Sequence, residues 1–440
     1  MREKEFLPLV SERLGIESLN PMQVRMKDAA SENRDIMLLS PTGTGKTLAF
    51  MLVVLKLLKP STGRVQAVVI APSRELVLQI AGIARSLARD FKITALYGGH
   101  NATDESNSLQ AGTDMLVATP GRLLDHIRRR NIDVMPTRLL VLDEFDKSLE
   151  LGFEDEMKRI LGHMKNISRT VLTSATPIES LPEFVRLTDP QKISYLQQTR
   201  EVRSRMKVHE VRADSRDKLD SLLRLLLSVS AERAIIFVNY RESAERVYEY
   251  LKRNGADCAL YHGALDQTER EKSIAKFNNG SRPVLVATDL ASRGLDIEGV
   301  DAIVHYHQPL TQEAYTHRNG RTARVDRTGD IYLLAGPDEE LKPFVKADDV
   351  EPLPELKSKF RNARWETLHI AEGRKEKLSR GDIAGFLIKE GGLNPDEVGK
   401  IDIYDHYALV AVPRQKAAEL VKSLANVRLK GRKRRMRIAD

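Results

Sequence analysis

The chain contains very little cysteine: Cys258 is the single one among 440 residues. An internal disulfide is therefore excluded, and a lone thiol is typical of proteins kept in a reducing compartment. Cys258 lies in the apolar segment ADCALY, so we expect a buried structural thiol.

Long apolar runs are also absent. The first ten residues, MREKEFLPLV, lack the apolar run that follows the basic region of a secretory signal. The most apolar helical stretch, residues 48–58, contains Lys56 and is shorter than the ~20 residues that a membrane span needs. We therefore expect a soluble, cytoplasmic protein.

The charge of the chain is positive and concentrated near its end. Its formal net charge is +8, and residues 366–440 hold sixteen Lys or Arg against eleven Asp or Glu. The densest basic run is RLKGRKRRMR, at 428–437. Such a cluster favours a polyanionic partner such as nucleic acid, although a tail that only improves solubility would have the same composition.

Short apolar runs alternate with amphipathic helical patterns from about residue 36, and the alternation starts again after Pro190. This order predicts two similar α/β lobes, each with a parallel sheet, joined near residues 190–215. The predicted strands of the first lobe are 36–39, 66–71, 93–97, 114–119, 138–143 and 170–174. Those of the second lobe are 234–239, 256–261, 283–288, 302–307 and 330–335.

The last part of the chain follows a different pattern. Residues 346–366 are rich in charge and proline and are interpreted as a linker. Residues 367–440 then follow the order β-α-β-β-α-β, which is typical of a small ferredoxin-like sheet.

The segment SPTGTGKT, residues 40–47, follows a predicted strand and opens a predicted helix. Gly43 and Gly45 allow the backbone to curl so that its N–H groups face phosphate oxygens at the helix N-terminus. Lys46 would supply a charge to the β- and γ-phosphates, and the Thr47 hydroxyl would bind Mg²⁺. A glycine loop alone can be a simple turn, but the strand, loop and helix together indicate a nucleoside triphosphate site.

Three carboxylates, Asp143, Glu144 and Asp146, fall within four residues at the end of another apolar run. Sheets of this type place their sites at the carboxyl ends of strands. We expect Asp143 to hold Mg²⁺ through water and Glu144 to activate the water that attacks the γ-phosphate. Asp146 would pair with an arginine or a hydroxyl; alternatively, it is an acidic start to the next helix.

The second lobe contains HRNGRTAR, residues 317–324, in which Arg318, Arg321 and Arg324 recur every third residue. Such spacing places them on roughly one side of a helix or turn. They are candidates for stabilising charge on a transferred phosphoryl group; the alternative is an ordinary charged surface.

In their order along residues 1–345, these motifs resemble the DEAD-box family of RNA-dependent ATPases, within the superfamily 2 helicases. The resemblance rests on LNPMQ (19–23), SPTGTGKT, APSREL (71–76), ATPGR (118–122), DEFD (143–146), SAT (174–176), IIFVN (235–239), HGALDQTERE (262–271), ATDLASRGLDI (287–297) and HRNGRTAR. It implies two RecA-like domains, at 1–200 and 201–345. Two departures are Phe145 in place of the usual Ala and Asn20 in place of the usual Thr.

The resemblance also implies roles for individual residues. Phe6 would stack on adenine and Gln23 would bind its edge, while Asp296 would contact the ribose. The loop that holds the phosphates would comprise Ser40, Pro41, Thr42, Gly43, Thr44, Gly45, Lys46 and Thr47. Arg321 and Arg324 would reach the γ-phosphate. His317 and Arg318 would couple to the DEFD segment. Ser174 and Thr176 would form hydrogen bonds to the same segment and so link closure around ATP to strain in the bound RNA.

A further set would face the RNA backbone, without reading bases: Arg74, Gly99, Thr119, Gly121, Arg122, Arg270 and Thr288. ATP and RNA together would draw the lobes shut, and hydrolysis would release the strand.

Residues 367–440 resemble the C-terminal RNA-binding domain of the DbpA-type helicases, an RRM-like α+β fold. The matching stretches are 373–387, 391–412 and 429–438. The resemblance implies binding to a hairpin in the peptidyl-transferase region of 23S ribosomal RNA and a role in large-subunit assembly. Candidate contacts are Arg374, Lys375, Lys377, Lys400, Lys430, Arg432, Lys433 and Arg435.

Tyr404 and Tyr407 could stack on RNA bases, and packing within the domain is an equal alternative. The leading functional hypothesis is a monomeric ATP-dependent RNA helicase that uses ATP and Mg²⁺. An ATP-gated RNA clamp that unwinds little would use the same motifs. A DNA translocase is a third hypothesis, disfavoured by the LNPMQ and SAT motifs and by the tail.

Overall fold

The structure is a computed structural model that describes residues 6–41, 43–98, 102–178, 180–197, 205–229, 231–292, 297, 300–322, 328–355 and 359–439. The chain divides near residue 205 into two compact units. Among the described residues, no helix combines the length and the apolar character that crossing a membrane requires.

The first unit is built on a seven-stranded parallel sheet in the order β3-β4-β2-β5-β6-β1-β7. Its strands are β1 (Ile36–Leu39), β2 (Ala67–Ile70), β3 (Ile93–Leu96), β4 (Met115–Ala118), β5 (Leu139–Leu142), β6 (Arg169–Ser174) and β7 (Gln191–Ser194). Its helices are Phe6–Leu14, Pro21–Ala29, Lys46–Leu57, Arg74–Leu87, Ala102–Gln110, Pro120–Arg128, Phe145–Glu150 and Glu154–His163.

The central strands of this sheet are buried on both faces. In β2, Ala67 and Val69 pack into one hydrophobic core, whereas Val68 and Ile70 pack into another on the opposite face. Successive side chains of a strand point to opposite faces, which explains why the runs are continuously apolar. The prediction of a parallel α/β lobe is therefore confirmed.

The second unit repeats this architecture with the strand order β10-β11-β9-β12-β13-β8-β14. The strands are β8 (Met206–Arg212), β9 (Ala234–Phe237), β10 (Cys258–Tyr261), β11 (Val284–Ala287), β12 (Ala302–His305), β13 (Gly329–Ala335) and β14 (Asp349–Glu351). The helices are Leu219–Ser228, Arg241–Arg253, Gln267–Asn278 and Gln312–Asn319. Cys258 is buried, as predicted, and burial raises the pKa of its thiol to about 12.

Strand β14 lies inside the stretch interpreted from sequence as a linker. It pairs in parallel with β8, and His209 Nδ1 lies 2.7 Å from Asp349 Oδ1 and 3.0 Å from Glu351 Oε1. A strand of three residues with two carboxylates carries no apolar alternation, so the sequence pattern did not reveal it.

The rest of the second unit is a small antiparallel sheet in the order β16-β17-β15-β20, with two helices on one face. Its strands are β15 (Trp365–Ile370), β16 (Ile401–Ile403), β17 (Ala408–Pro413) and β20 (Met436–Ile438), and a hairpin joins β18 (Arg428–Leu429) to β19 (Arg432–Lys433). The helices are Arg380–Lys389 and Arg414–Ser423. This β-α-β-β-α-β order confirms the ferredoxin-like prediction.

We expect Phe50→Ala to destabilise the first lobe by about 3–5 kcal/mol, because it removes a fully buried ring from the helix that follows the phosphate loop. Chemical denaturation followed by circular dichroism measures the change. Leu151→Ala is the control, since Leu151 is 49% exposed and its loss should cost less than about 0.5 kcal/mol. Equal effects of the two substitutions would contradict the assigned core.

Candidate functional site

The phosphate loop follows β1 and is held by its own polar groups. Lys46 Nζ donates to the carbonyl of Ser40 at 2.8 Å, and Ser40 Oγ lies 2.8 Å from Thr44 Oγ1. The Thr44 hydroxyl is also within 2.9 Å of the carbonyl of Pro41. Gly43 and Gly45 have left-handed φ angles of 79° and 87°. The helix then starts at Lys46 without a side-chain cap, which leaves its N–H groups available to an anion.

The LNPMQ segment supports this loop from the side. Asn20 and Gln23 form a capping box at the start of the helix Pro21–Ala29. Asn20 Nδ2 donates to the Thr44 carbonyl at 2.9 Å, and Gln23 Nε2 donates to the Gly45 carbonyl at 3.4 Å. Glycine is favoured at position 45 because its φ of 87° is one that other residues seldom adopt, and a Cβ there would also displace Gln23 Nε2, which would lie 2.5 Å away. Asn20 therefore has a structural role that the sequence did not indicate.

Asp143 is buried at the carboxyl end of β5 and has one short hydrogen bond. Thr173 Oγ1 donates to Asp143 Oδ1 at 2.5 Å and also accepts from the Glu144 N–H at 3.2 Å. Burial raises the pKa of Asp143, and the Thr173 bond and the Lys46 charge oppose that rise. An ionised Asp143 therefore favours a nearby cation.

Glu144 has a strained backbone. Its φ and ψ are 47° and 53°, in the left-handed region that non-glycine residues seldom adopt, and the residue is buried. Such outliers persist where the surrounding structure holds them, and they cluster at active sites. Thr173, which fixes the Glu144 N–H, was not identified as a site residue from sequence, although it directly precedes the SAT motif.

Asp146 connects the DEFD segment to the SAT segment. Its Oδ2 accepts from the Thr176 hydroxyl at 2.9 Å and from the N–H groups of Ala175 and Thr176 at 3.2 Å. Ser174 Oγ donates instead to the Thr176 carbonyl at 2.6 Å. A movement of either segment would therefore act on the other through one carboxylate.

In the second unit, Arg318 lies at the centre of a buried polar network. Its guanidinium bonds Asp289 through two nitrogens, at 2.5 and 3.0 Å, and donates to the His307 carbonyl at 2.8 Å. It also donates to Asn239 Oδ1 at 2.7 Å. His317 and Arg321 are buried beside it, so these side chains are not an ordinary charged surface.

His305 completes this network as a neutral imidazole. Burial, and then the Arg318 charge, lower its pKa to about 3. A neutral ring can donate from Nε2 to Asn319 Oδ1, at 2.9 Å, and present Nδ1 to Arg318, at 3.4 Å. Asp289, Asn239 and His305 were not identified from sequence, because their partners lie far away along the chain.

The residues expected to face RNA lie mostly at strand ends and helix starts. In the first unit, Arg74 contacts the Gly98 carbonyl and the Tyr97 ring, and Arg122 Nε pairs with the buried Glu105 at 2.6 Å. Thr119 precedes the helix Pro120–Arg128, and Gly121 is exposed in its first turn. In the second unit, Arg270 and Thr288 are half-buried, in the helix Gln267–Asn278 and just after β11.

Most of the basic residues that are candidate RNA contacts in the tail lie on or beside two adjacent loops. Lys430 Nζ donates to the Lys377 carbonyl at 2.9 Å, so the loop 373–378 lies beside the β18–β19 hairpin. Lys377 and Lys430 both have left-handed φ angles, 60° and 53°. The exposed residues on these loops and in the segment before β20 are Arg374, Lys375, Lys377, Lys430, Arg432, Lys433 and Arg435, while Lys400 is half-buried.

Two acidic residues of this segment, Glu372 and Glu376, stabilise the loop 373–378 through contacts within the tail domain. Glu372 pairs with the buried Arg434. Glu376 Oε2 accepts from the Gly373 N–H at 2.8 Å, and its other oxygen lies 3.0 Å from His406 Nδ1.

Tyr404 and Tyr407 pack within the second unit, which is the alternative that the sequence left open. Their rings stack on each other at 4.5 Å between centroids, and His369 stacks on Tyr407 at 5.3 Å. Neither phenol ring is an exposed platform, so we do not count Tyr407 among the RNA contacts. Four other predicted residues, Thr42, Gly99, Asp296 and Arg324, lie outside the described residues, as does the side chain of Phe6.

Three protein families match successive parts of the chain. The DEAD/DEAH box helicase family matches residues 20–184, and the helicase conserved C-terminal domain matches residues 217–326. The DbpA RNA binding domain matches residues 367–438.

Individual relatives agree with these matches. The chain is 31% identical to the ATP-dependent RNA helicase DbpA of Escherichia coli over 97% of this chain and 95% of that protein. It is 35% identical to the DEAD-box ATP-dependent RNA helicase CshA of Bacillus subtilis over 74% of this chain and 67% of that protein.

Among solved structures, Dbp5 of Saccharomyces cerevisiae bound to RNA and ADP BeF3 matches with a TM-score of 0.68 and 26% identity. That match covers 79% of this chain and 93% of the Dbp5 chain. Together with the phosphate loop and the DEFD and SAT segments described above, these likenesses establish that the chain belongs to the DEAD-box ATP-dependent RNA helicases and carries a DbpA-type RNA-binding domain.

Proposed function

We propose that this helicase couples ATP hydrolysis to local unwinding or remodelling of 23S ribosomal RNA during assembly of the large subunit, acting as a cytoplasmic monomer. The basic surface of loop 373–378 and the β18–β19 hairpin supports the RNA target most directly. The domain boundaries 1–200, 201–345, 346–366 and 367–440 are part of this proposal.

In the proposed reaction, Lys46 and the N–H groups of the phosphate loop bind the phosphates of ATP. Glu144 orients and deprotonates the attacking water, and Arg321 stabilises charge on the γ-phosphate. Mg²⁺ would accompany ATP, and Thr47 and Asp143 would hold it. The raised pKa of buried Asp143 supports this assignment, because its carboxylate is ionised at lower cost beside a cation.

RNA contacts in the tail are proposed to be made with phosphates and loop nucleotides. The basic side chains of the two adjacent loops form a cationic surface. Its position is fixed because Lys430 Nζ donates both to the Lys377 carbonyl and to Asp382, and because Lys377 and Lys430 have left-handed backbone conformations. Such a surface attracts RNA through its charge and releases counterions on binding.

The proposed function is tested by steady-state ATPase of the full chain with no nucleic acid, with poly(U), with single-stranded DNA, or with a 23S fragment carrying the peptidyl-transferase hairpin. We expect the fragment to activate at much lower concentration than poly(U), and DNA not to activate. Equal activation by both RNAs would refute the ribosomal target while preserving RNA-dependent hydrolysis. Strand displacement with the same fragment distinguishes unwinding from clamping.

We expect Glu144→Gln to lower kcat for ATP hydrolysis by about 10²–10⁴, the range that a positioned general base contributes. Binding of ATP and RNA, measured by fluorescence titration, should persist because the substitution preserves size. Glu150→Gln is the control, since it makes the same chemical change at the exposed end of the same short helix. Normal turnover by Glu144→Gln would remove Glu144 from its proposed role.

We expect the triple variant Lys375→Ala, Lys377→Ala and Lys433→Ala to weaken binding to the 23S fragment. The slope of log affinity against log salt should become shallower by up to ~0.7–0.9 per lost phosphate contact. Lys389→Ala with Lys422→Ala is the control, because it removes charge from the two helices of the same domain. An equal loss in the control would indicate a diffuse charge effect without a defined surface.

A further inference from the structure

One face of the tail sheet packs against the second helicase lobe. The opposite face carries the core formed with the two tail helices, whereas this face presents Leu409 and Ala439, which form a buried cluster with Ala275 of the helix Gln267–Asn278. The rings of Tyr404 and Tyr407 pack on the same cluster. RRM-like domains often stack RNA bases on such a face, but here the lobe occupies it.

Polar contacts surround this apolar patch. Thr367 Oγ1 lies 2.6 Å from Ser281 Oγ and accepts from Asn279 Nδ2 at 2.9 Å. Arg414 donates to Asp257 at 2.5 Å. These groups are buried or half-buried, and their hydrogen bonds across the interface make the docking specific.

One contact of this interface reaches the helix that carries Arg270. Tyr407 Oη donates to Glu271 Oε2 at 2.7 Å, and Gln267 Nε2 donates to Glu271 Oε1 at 2.9 Å. The Tyr404 hydroxyl also lies 3.4 Å from the Glu271 carbonyl. A single carboxylate is thus held between the tail and the first turn of the helix.

Gln267 and Arg270 are the two ends of the segment QTER, residues 267–270, and the family resemblance implies that Arg270 faces the RNA backbone. Two successive hydrogen bonds, both to the Glu271 carboxylate, connect Tyr407 to Gln267. Glu271 directly follows Arg270 in the sequence. Burial and the Glu271 charge raise the pKa of the Tyr407 phenol, so it remains a donor at physiological pH.

We propose that Tyr407 is a positioning residue for RNA binding by the second lobe, acting through Glu271 on Gln267 and Arg270. The tail thereby increases the affinity of the helicase core for any single strand, in addition to binding its own RNA target. This inference rests on the proposed RNA-dependent activity of the core.

The test is the ATPase of the chain 1–440 titrated with poly(U), which lacks the hairpin. For Tyr407→Phe we expect the RNA concentration at half-maximal activation to rise on the order of tenfold, as for loss of a hydrogen bond to a charged group. The kcat at saturating RNA and the affinity for the 23S hairpin should be unchanged. Glu271→Ala should have a similar effect, and the double variant should be no worse than the more severe single variant.

Two controls separate positioning from general loosening of the interface. Arg414→Met breaks a different contact between tail and lobe, and Tyr248→Phe removes a hydroxyl from the helix Arg241–Arg253. Both should leave half-maximal activation unchanged. If Arg414→Met matches Tyr407→Phe, docking as a whole matters and the specific chain is refuted.

The remaining outcomes are also decisive. An unchanged titration for Tyr407→Phe, or additive effects of Tyr407→Phe and Glu271→Ala, would overturn the inference alone. A wild-type ATPase that the 23S fragment stimulates and poly(U) does not would also overturn the inference alone, whereas a wild-type ATPase that neither RNA stimulates would overturn the proposed function, and the inference with it.

Discussion

Both α/β units depend on the burial of parallel strands on two faces. A charged side chain inside such a strand would lose its hydration without gaining a partner, so the strands β2, β5, β9 and β11 contain only apolar residues. In the first unit, β5, β6 and β1 are neighbours in the sheet. Their carboxyl ends therefore bring Ser40, Asp143 and Ser174 to one edge, where the phosphate loop begins.

The same constraint organises the second unit around an arginine. Asn239, Asp289 and His307 each follow a different strand, and the Arg318 guanidinium bonds all three. A fully buried guanidinium is stable only with such complete hydrogen bonding. Because His305 remains neutral, the network contains one carboxylate for one guanidinium, with no surplus buried charge.

The tail shows how one small fold divides its surfaces between two tasks. Its apolar sheet face, with Leu409 and the two tyrosines, is covered by the second lobe. The lysines and arginines proposed to contact RNA lie mostly on the loop 373–378 and around the β18–β19 hairpin, where their charges stay hydrated and accessible to an anion. The order of strands alone does not decide which face is covered, because an exposed aromatic ring can pack equally well against an RNA base or against a helix of the same chain.

Local patterns were enough to predict the strands of both parallel sheets except β7, β8 and β14, as well as the phosphate loop, the DEFD segment and the order of elements in the tail, because each depends on neighbouring residues. The family resemblance supplied most of the roles. Only the tertiary structure revealed β14, the Thr173 bond to Asp143, the Arg318 network and the packing of Tyr407 on Glu271. The β14, Thr173 and Tyr407 contacts join residues at least 30 positions apart along the chain, and the Arg318 network joins residues 11 to 79 positions apart. No periodicity or spacing encodes such pairs.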